Sequence, residues 1–321
     1  MKNLTIGKLR GLQKCTSPCG TFTCLALDHR QNLRKALNPA NPSAVSYAQL
    51  STFKLEVTKA LADKSTAVLL DPQVSAAQAV AAQAVPGNVG LVVAVESSGY
   101  GGAPTARQSQ ILPGWSIEKA KRMGADAVKL LVYYHPDSST AGDIEAFVKQ
   151  VAEDCRKYDL AIMLEPLSYS LNPLARKLAS DEKRYVVTET ARRLTTLGVD
   201  VLKAEFPLDT ADPDETQWAA ACAEITSASI TPWILLSAAV DYKTYLHQVT
   251  TACNGGASGI AVGRAVWQEV VGMTDQERVA FLKDIARPRL ETLSKLCTEL
   301  AKPWTDFFTP TEITPDWYKT Y

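Results

Sequence analysis

The sequence predicts an α/β protein folded as a single (β/α)8 barrel, and three observations lead to this prediction. Eight short, almost wholly apolar runs recur along the chain, as is typical of strands buried on both faces of a parallel sheet. Longer segments with helical periodicity separate these runs and can serve as the crossovers that a parallel sheet requires. The length of 321 residues lies within the range of one such barrel. An open doubly wound sheet is the weaker alternative, because no Gly-x-Gly-x-x-Gly follows the first run.

The elements can be assigned in order along the chain. A short helix is predicted over Ile6–Gln13, and the proline and glycine of Ser17–Gly20 then turn the chain into the first strand. The predicted strands are Thr21–Asp28, Ala67–Asp71, Gly90–Glu96, Ala127–Tyr134, Ala161–Leu167, Val201–Phe206, Trp233–Ala239 and Gly259–Gly263. The predicted helices are Ala44–Lys64, Ser75–Ala84, Ser116–Met123, Ala141–Tyr158, Asp181–Thr196, Asp214–Ser227, Asp241–Thr251 and Asp275–Lys302. The barrel thus occupies about residues 21–302 of one domain that comprises residues 1–321.

A tail of residues 303–321 follows the last predicted helix. Its aromatic residues, which occur among three prolines, are Trp304, Phe307, Phe308, Trp317, Tyr318 and Tyr321. Proline disfavours helix interiors, so we expect an extended segment. The aromatic side chains are expected to pack on the barrel or on a neighbouring subunit of a homo-oligomer, and the sequence leaves both open.

The charge and cysteine content narrow the class of partner. Lysine plus arginine and aspartate plus glutamate each total 34, and no long run of like charge occurs, which argues against a nucleic acid or a membrane surface and favours a small molecule. The first residues lack the apolar centre of a signal peptide, and no run reaches the ~18 apolar residues of a membrane span, so we expect a cytoplasmic protein. The seven cysteines are odd in number, and Cys15, Cys19 and Cys24 lack the spacing of zinc ligands. No metal and no cofactor is predicted.

One lysine in an apolar run carries most of the functional information. Lys203 lies within the strand Val201–Phe206, and lysine is almost never fully buried unless it is paired or functional. Burial penalises the ammonium form and leaves free amine that can attack a carbonyl group, as in a Schiff-base enzyme. A lysine that extends to solvent from a strand end is the structural alternative.

Other polar residues occupy equivalent positions late in the strands, where a barrel of this kind forms its active site. These residues are Asp28, Asp71, Glu96, Glu165 and Ser237, with Lys129 inside its run and Arg264 directly after the last run. Side chains alternate along a strand, so an inward Lys203 shares its face with Val201 and Glu205. Two nearby lysines are expected to lower each other's pKa, and an apolar setting is expected to raise that of Glu165, which could then act as general base and acid. A purely structural ion network of Lys129, Glu165 and Lys203 is the alternative.

The last two predicted strands supply a second group of candidate site residues. Ser237 ends the seventh strand, a glycine-rich turn precedes the eighth, and Gly263 and Arg264 follow it. Small residues let backbone N–H groups approach an anion, and arginine adds a two-pronged charged donor. Because barrels often bind phosphate after strands seven and eight, we expect an anion site here.

These residues resemble a known family, the class I (Schiff-base) tagatose 1,6-bisphosphate aldolases. The similar motifs are Ala26–Arg30, Leu69–Pro72, Glu96–Tyr100, Gly124–Lys129, Leu164–Pro166, Val201–Glu205, Leu236–Ala238 and Gly263–Ala265. The resemblance implies a metal-free barrel enzyme that cleaves a ketose bisphosphate to dihydroxyacetone phosphate and glyceraldehyde 3-phosphate. It implies Lys203 as the imine-forming lysine and Glu165 as the acid and base. It also implies that Lys129 and Asp28 orient the substrate hydroxyls, and that Ser237 and Arg264 hold the C1 phosphate.

The sequence departs from the family pattern at two motifs. The usual Asp-Gln-Arg is Asp28-His29-Arg30, and the usual Glu-Lys-Thr-Gly-Tyr is Glu96-Ser97-Ser98-Gly99-Tyr100. Because the lysine of that motif is absent here, the sequence leaves open whether the substrate carries a phosphate or another group at C6. Related barrels cleave 6-deoxy-6-sulfofructose 1-phosphate to 3-sulfolactaldehyde or transfer a three-carbon unit from a sulfonated ketose. His29 is expected either to bind an anionic group or to fix Asp28. The further substrate-binding candidates are Arg30, Asp71, Glu96 and Gly263.

Two functions of other classes compete with the aldolase. A metal-dependent lyase would draw ligands from Asp71, Glu96 and histidines, but none of the three histidines, at positions 29, 135 and 247, has paired-ligand spacing. A non-catalytic sugar-phosphate sensor would keep the pocket, although the catalytic set of Lys203, Glu165 and Lys129 argues against it.

Overall fold

A closed parallel barrel is the framework of the molecule. The computed structural model describes residues 3–175, 177–209, 214–309, 312–319 and 321. The barrel strands are β1 (Phe22–Ala26), β2 (Ala67–Leu70), β3 (Gly90–Ala94), β6 (Ala127–Tyr133), β7 (Ala161–Leu167), β8 (Val201–Ala204), β9 (Trp233–Leu236) and β10 (Gly259–Val262). Each pairs with its neighbours in the order β1–β10–β9–β8–β7–β6–β3–β2, and β2 closes onto β1. The predicted eight-stranded barrel is confirmed. A small antiparallel hairpin, β4 (Gly101–Ala103) and β5 (Ala106–Gln108), follows β3.

Helices precede, connect and follow the strands. They are α1 (Ile6–Lys14), α2 (Gln31–Leu37), α3 (Tyr47–Leu61), α4 (Ala76–Ala81), α5 (Ile117–Arg122), α6 (Ala141–Lys157), α7 (Ser180–Leu194), α8 (Glu215–Ala228), α9 (Tyr242–Asn254), α10 (Arg264–Trp267), α11 (Asp275–Phe281) and α12 (Arg287–Leu300). Polar side chains cap several of them, as where Ser46 and Gln49 form a capping box at the start of α3. None of the described helices combines the length and apolarity needed to cross a membrane.

The strands bury both faces because two apolar cores flank them. One core fills the space between the sheet and the surrounding helices. The other fills the barrel interior near the amino ends of the strands, and Leu12 of α1 with Trp304 and Phe308 of the tail covers it from below. The ammonium of Lys8 reaches into this end and lies 2.7 Å from the carboxylate of Asp200. The amino end is therefore closed, and ligands must enter at the carboxyl end.

The structure differs from the predicted elements in four places. Helices α2 and α10 and the β4–β5 hairpin occur in segments for which no element was predicted. The predicted helix Asp275–Lys302 is divided by a π-helical turn at Leu282–Ala286, which ends two residues before Pro288, a residue that has no N–H to continue the α-helical bonding.

The tail is not the uninterrupted extended segment that its prolines indicated. It contains 3-10 turns at Trp304–Phe307 and Trp317–Lys319. The backbone N–H of Trp304 donates to the carbonyl of Gly20 at 2.9 Å, which attaches the start of the tail to the loop before β1. Trp304 is buried, whereas Trp317 is exposed.

Candidate active site

A cavity of about 660 Å³ opens at the carboxyl ends of the barrel strands. Ten of the eleven predicted site residues line it: Asp28, His29, Arg30, Glu96, Lys129, Glu165, Lys203, Ser237, Gly263 and Arg264. They come from loops and strands that are far apart in sequence, and barrel closure brings them together. The eleventh, Asp71, lies elsewhere.

Lys203 lies at the base of this cavity. It is the third residue of β8, its side chain is 4 % exposed, and its Nζ lies 2.8 Å from Oε2 of Glu165 on the adjacent β7. Met163 of β7 pairs with Val201 of β8, and two residues further along each strand the side chains point inward at the same level. Lys203 therefore does not extend to solvent from a strand end.

Lys129 is held by three carboxylates. Its Nζ lies 2.8 Å from Asp28, 2.8 Å from Glu96 and 2.9 Å from Glu165. Burial disfavours the ammonium, but the three negative charges outweigh it and raise the pKa of Lys129 well above its usual value. The expectation that neighbouring lysines would lower this pKa is wrong, because the contacting carboxylates dominate.

The carboxylates shift in the opposite direction. Burial opposes ionisation of Glu165, yet Lys129 and Lys203 together lower its pKa below the usual value. Asp28 behaves likewise, since Lys129 and Lys203 overcome burial and lower its pKa well below the usual range. The predicted raised pKa of Glu165 is therefore wrong. The strand pattern correctly indicates that the Glu165 carboxylate points inward. It does not indicate that the ammonium groups of Lys129 and Lys203 both contact one of its oxygens.

Arg30 fixes the loop that carries Glu96. Its Nη2 donates to the backbone carbonyl of Glu96 at 2.7 Å, and its Nη1 donates to Oε1 of Gln73 at 2.8 Å. Oε2 of Glu96 accepts from the backbone N–H of Leu131 at 3.1 Å, whereas Oε1 accepts from Lys129. Glu96 is thus oriented by the main chain on one side while it binds Lys129 on the other.

Asp71 is a structural residue rather than part of the cavity lining. It is completely buried, forms an ion pair with the buried Lys54 of α3, and accepts from Ser75 Oγ at 2.7 Å. Its other oxygen accepts the backbone N–H of Gln73 at 3.0 Å. The prediction that Asp71 binds substrate is wrong, because its side chain points away from the cavity toward the helices, where the ammonium of Lys54 neutralises its charge.

The predicted anion-site residues Ser237, Gly263 and Arg264 line another side of the cavity. Ser237 Oγ, directly after β9, accepts the backbone N–H of Gly263 at 3.3 Å, which leaves the hydroxyl hydrogen free to donate. Burial lowers the pKa of the adjacent Arg264. Two consecutive alanines after Ser237, Ala238 and Ala239, have φ of +43° and +62°, a conformation that non-glycine residues adopt at a cost.

Several lining residues were not predicted as site residues. Glu205 lies two residues beyond Lys203 on the same face and accepts the backbone N–H of Ser168 at 2.7 Å. Lys35 of α2 lines the mouth, as do Tyr100 and Tyr133, whose rings are 5.0 Å apart. Strand alternation would have indicated Glu205 and Tyr133, whereas Lys35 depends on a helix that the sequence did not reveal.

The Arg107 side chain of the hairpin supports this outer wall. Its guanidinium carbon lies 4.3 Å from the ring centre of Tyr100 and 4.5 Å from that of Tyr169. It also lies 5.3 Å from the ring centre of Tyr133, and these cation–π contacts hold the hairpin against β6 and the loop after β7.

A profile of the family described as "DeoC/LacD family aldolase" matches residues 22–269, which span the barrel from β1 through α10. The chain belongs to the DeoC/LacD aldolase family. The predicted family and the predicted enzyme class, an aldolase and hence a carbon–carbon lyase, are confirmed.

Relatives and solved structures extend this result. The tagatose 1,6-diphosphate aldolase of Lactococcus lactis subsp. lactis is 29 % identical over 325 residues, covering 94 % of this chain and 99 % of the relative. A fructose-bisphosphate aldolase structure from Plasmodium falciparum has a TM-score of 0.72 at 14 % identity, covering 94 % of this chain and 98 % of that one. An archaeal fructose-1,6-bisphosphate aldolase, whose catalytic lysine carries a covalent carbinolamine intermediate, has a TM-score of 0.54 at 20 % identity, covering 90 % and 98 %. At these identities the structures establish the shared fold.

The side chains that could bind a metal ion are not clustered in the described residues. Within the described ranges, no three His, Cys, Asp or Glu side chains are grouped so that they could hold a metal ion. All seven cysteines are free, and six of them are buried.

Proposed function

We propose that this DeoC/LacD family aldolase cleaves a ketose 1,6-bisphosphate of the tagatose type to dihydroxyacetone phosphate and glyceraldehyde 3-phosphate through a Schiff base on Lys203, without a metal. The observation that carries the proposal is the buried Lys203 amine 2.8 Å from Glu165 at the base of a large polar cavity. The name of the Lactococcus lactis relative supports the choice of sugar.

The contacts support different roles for the two lysines. Lys129 is engaged by three carboxylates and Lys203 by one, so Lys203 is the amine whose nitrogen is available for covalent bond formation. Lys129 remains charged and holds Asp28 and Glu96 in place. In this scheme Asp28 and Lys129 bind the sugar hydroxyls, and their positions are fixed before substrate enters.

The reaction then follows from the site. In this scheme Lys203 passes a proton to Glu165, its amine attacks the C2 ketone, and Glu165 returns the proton to the hydroxyl that leaves as water, which gives a protonated imine. Glu165 then removes the C4 hydroxyl proton as the electron pair of the C3–C4 bond enters the imine and the aldehyde leaves. Glu165 delivers this proton to C3 of the enamine, and water hydrolyses the imine, which releases dihydroxyacetone phosphate and restores the Lys203 amine.

The two ends of the cavity divide the recognition of the substrate. Ser237, the backbone at Gly263 and Arg264 would bind the C1 phosphate. At the mouth, Lys35 and the Ser97 and Ser98 segment would meet the C6 substituent, where the usual family lysine is absent. A 6-sulfonated ketose 1-phosphate is therefore a second substrate to compare.

A product assay tests the proposal. Purified enzyme is incubated with tagatose 1,6-bisphosphate, fructose 1,6-bisphosphate or 6-deoxy-6-sulfofructose 1-phosphate, with and without EDTA, and the aldehyde product is identified by mass spectrometry. We expect glyceraldehyde 3-phosphate from the bisphosphates and no effect of EDTA. Release of 3-sulfolactaldehyde alone would reassign the C6 group, and loss of activity with EDTA that added divalent metal restores would contradict the metal-free mechanism.

A further inference from the structure

The His29 ring lies directly over the glycine of the anion site. A Cβ atom placed on Gly263 would come within 3.2 Å of Cε1 of His29 and 2.7 Å of the backbone oxygen of Ala26. Since Cε1 is bonded to both ring nitrogens, the nitrogen-bearing edge of the imidazole faces Gly263. His29 is therefore on the β10 side of the cavity, next to Arg264, and not at the distal mouth.

The surroundings decide which nitrogen can meet a ligand. Trp267 of α10 packs edge-on against the ring with centroids 5.9 Å apart, which fixes its orientation. Nδ1 is buried and has no hydrogen-bond partner in the part of the chain that the structure describes. His29 lines the cavity, so Nε2 is the nitrogen that a ligand can reach.

The imidazole is neutral near pH 7. Burial lowers the pKa of His29 to about 4 although the neighbouring Asp28 charge acts against this shift. A neutral imidazole carries one N–H and one lone pair. With its hydrogen on Nε2, the ring directs its only donor into the cavity without placing a second positive charge beside Arg264.

Two neighbouring residues also offer hydrogen-bond donors. Nε of Arg264 is buried without a hydrogen-bond partner, and no ion pair to its guanidinium is found among the described residues. The Ser237 hydroxyl oxygen accepts from the backbone N–H of Gly263, so its hydrogen can be donated to a ligand in the cavity. A buried donor without an acceptor is uncommon in folded proteins, so Arg264 indicates a ligand with acceptor oxygens, and its positive charge favours an anion.

We propose that His29 is a specificity-determining residue, which donates a hydrogen bond from Nε2 to an anionic oxygen of the substrate's C1 phosphate, beside Arg264 and Ser237. This inference rests on the proposed function. It makes His29 the residue that discriminates between phosphorylated and unphosphorylated ketones. The alternative expectation, that His29 fixes Asp28, is not supported, since no hydrogen bond joins the two side chains in the described structure. A glutamine, the residue usual at this position of the family pattern, keeps an N–H donor.

Trapping of the Schiff base with borohydride tests this assignment. The enzyme is titrated with dihydroxyacetone phosphate or with dihydroxyacetone, reduced, and assayed for adduct by intact mass. His29→Leu should raise the half-maximal concentration of the phosphorylated ketone by about tenfold or more, because a hydrogen bond to a charged group is lost. It should leave the value for dihydroxyacetone unchanged. His29→Gln should behave like the unmodified enzyme, and His29→Met replaces His29→Leu if the leucine variant does not fold.

The outcomes separate the two proposals. Equal weakening of both ligands, no weakening of the phosphorylated ligand, or a loss in His29→Gln as large as in His29→Leu would overturn the role of His29 while an adduct on the unmodified enzyme still supported the aldolase. Failure of the unmodified enzyme to form any adduct would instead contradict the proposed function.

Discussion

Oε2 of Glu165 lies 2.8 Å from Nζ of Lys203 and is simultaneously within 2.9 Å of Nζ of Lys129. One carboxylate oxygen thus joins the proposed nucleophile to the lysine that holds the other carboxylates. The arrangement follows from the adjacency of strands β6, β7 and β8, which direct Lys129, Glu165 and Lys203 into the barrel.

Replacement of Lys203 by alanine should abolish cleavage and leave the fold intact. The variant lacks the amine that forms the imine, whereas Lys129 keeps its own contacts with Asp28, Glu96 and Glu165. Turnover of the ketose bisphosphate and the thermal unfolding midpoint would be measured together, with the surface variant Lys64→Ala as control. Appreciable cleavage by a folded Lys203→Ala enzyme would refute the role of this lysine.

Replacement of Glu165 by glutamine should lower kcat by ~10²-fold or more, because the amide cannot accept the C4 hydroxyl proton. Single-turnover rates with the bisphosphate would measure this loss. Glu224→Gln makes the same chemical change on the surface and serves as the matched control. An unchanged rate in Glu165→Gln would remove Glu165 from the mechanism.

Replacement of Asp71 by asparagine should destabilise the protein by about 3–5 kcal/mol, because it leaves Lys54 charged and unpaired in the core. Urea unfolding measures this loss. In the double variant Lys54→Met/Asp71→Asn much of the stability should return, since no uncompensated charge remains. If the single variant kept full stability but bound substrate poorly, the assignment of Asp71 to the core would be wrong.

Acid should destabilise the protein partly through His29. Because burial lowers its pKa from 6.5 to about 4, the unfolded chain binds more protons than the folded one between these values, so stability falls as pH decreases through this window. At pH 5 this contribution corresponds to about 2 kcal/mol. Urea unfolding at pH 7 and pH 5 should therefore show a smaller loss for His29→Gln than for the unmodified protein. Equal losses would show that the imidazole is not kept neutral by burial.

The sequence was sufficient to predict the barrel and most of the inward polar residues. Short apolar runs with a charged residue in their later part, as at Lys203 and Glu165, indicate both the strand and the side chain that faces the cavity. Asp71 follows the same pattern, yet it pairs with Lys54 on the outer side. Its location depended on the partner that α3 supplies, and a strand pattern contains no information about that partner.

The pKa directions could not be predicted from the residues alone. Burial was evident for Lys129 and Glu165, but the sign of each shift depends on how many opposite charges lie within about 3 Å, a distance set by strand register. Helix α2 was likewise missed because no side chain caps its start and only Leu33 is buried, so its sequence has neither a start signal nor an apolar face. As a result, Lys35 and the full lining of the mouth became evident only in the structure.

Covalent trapping tests the central claim most directly. The protein is treated with dihydroxyacetone phosphate and borohydride, its intact mass is measured, and the modified peptide is sequenced. The account predicts a stable three-carbon phosphate adduct on Lys203. An adduct on Lys129 or on another residue, or no adduct with this ligand, with dihydroxyacetone or with a sulfonated ketose, would contradict it.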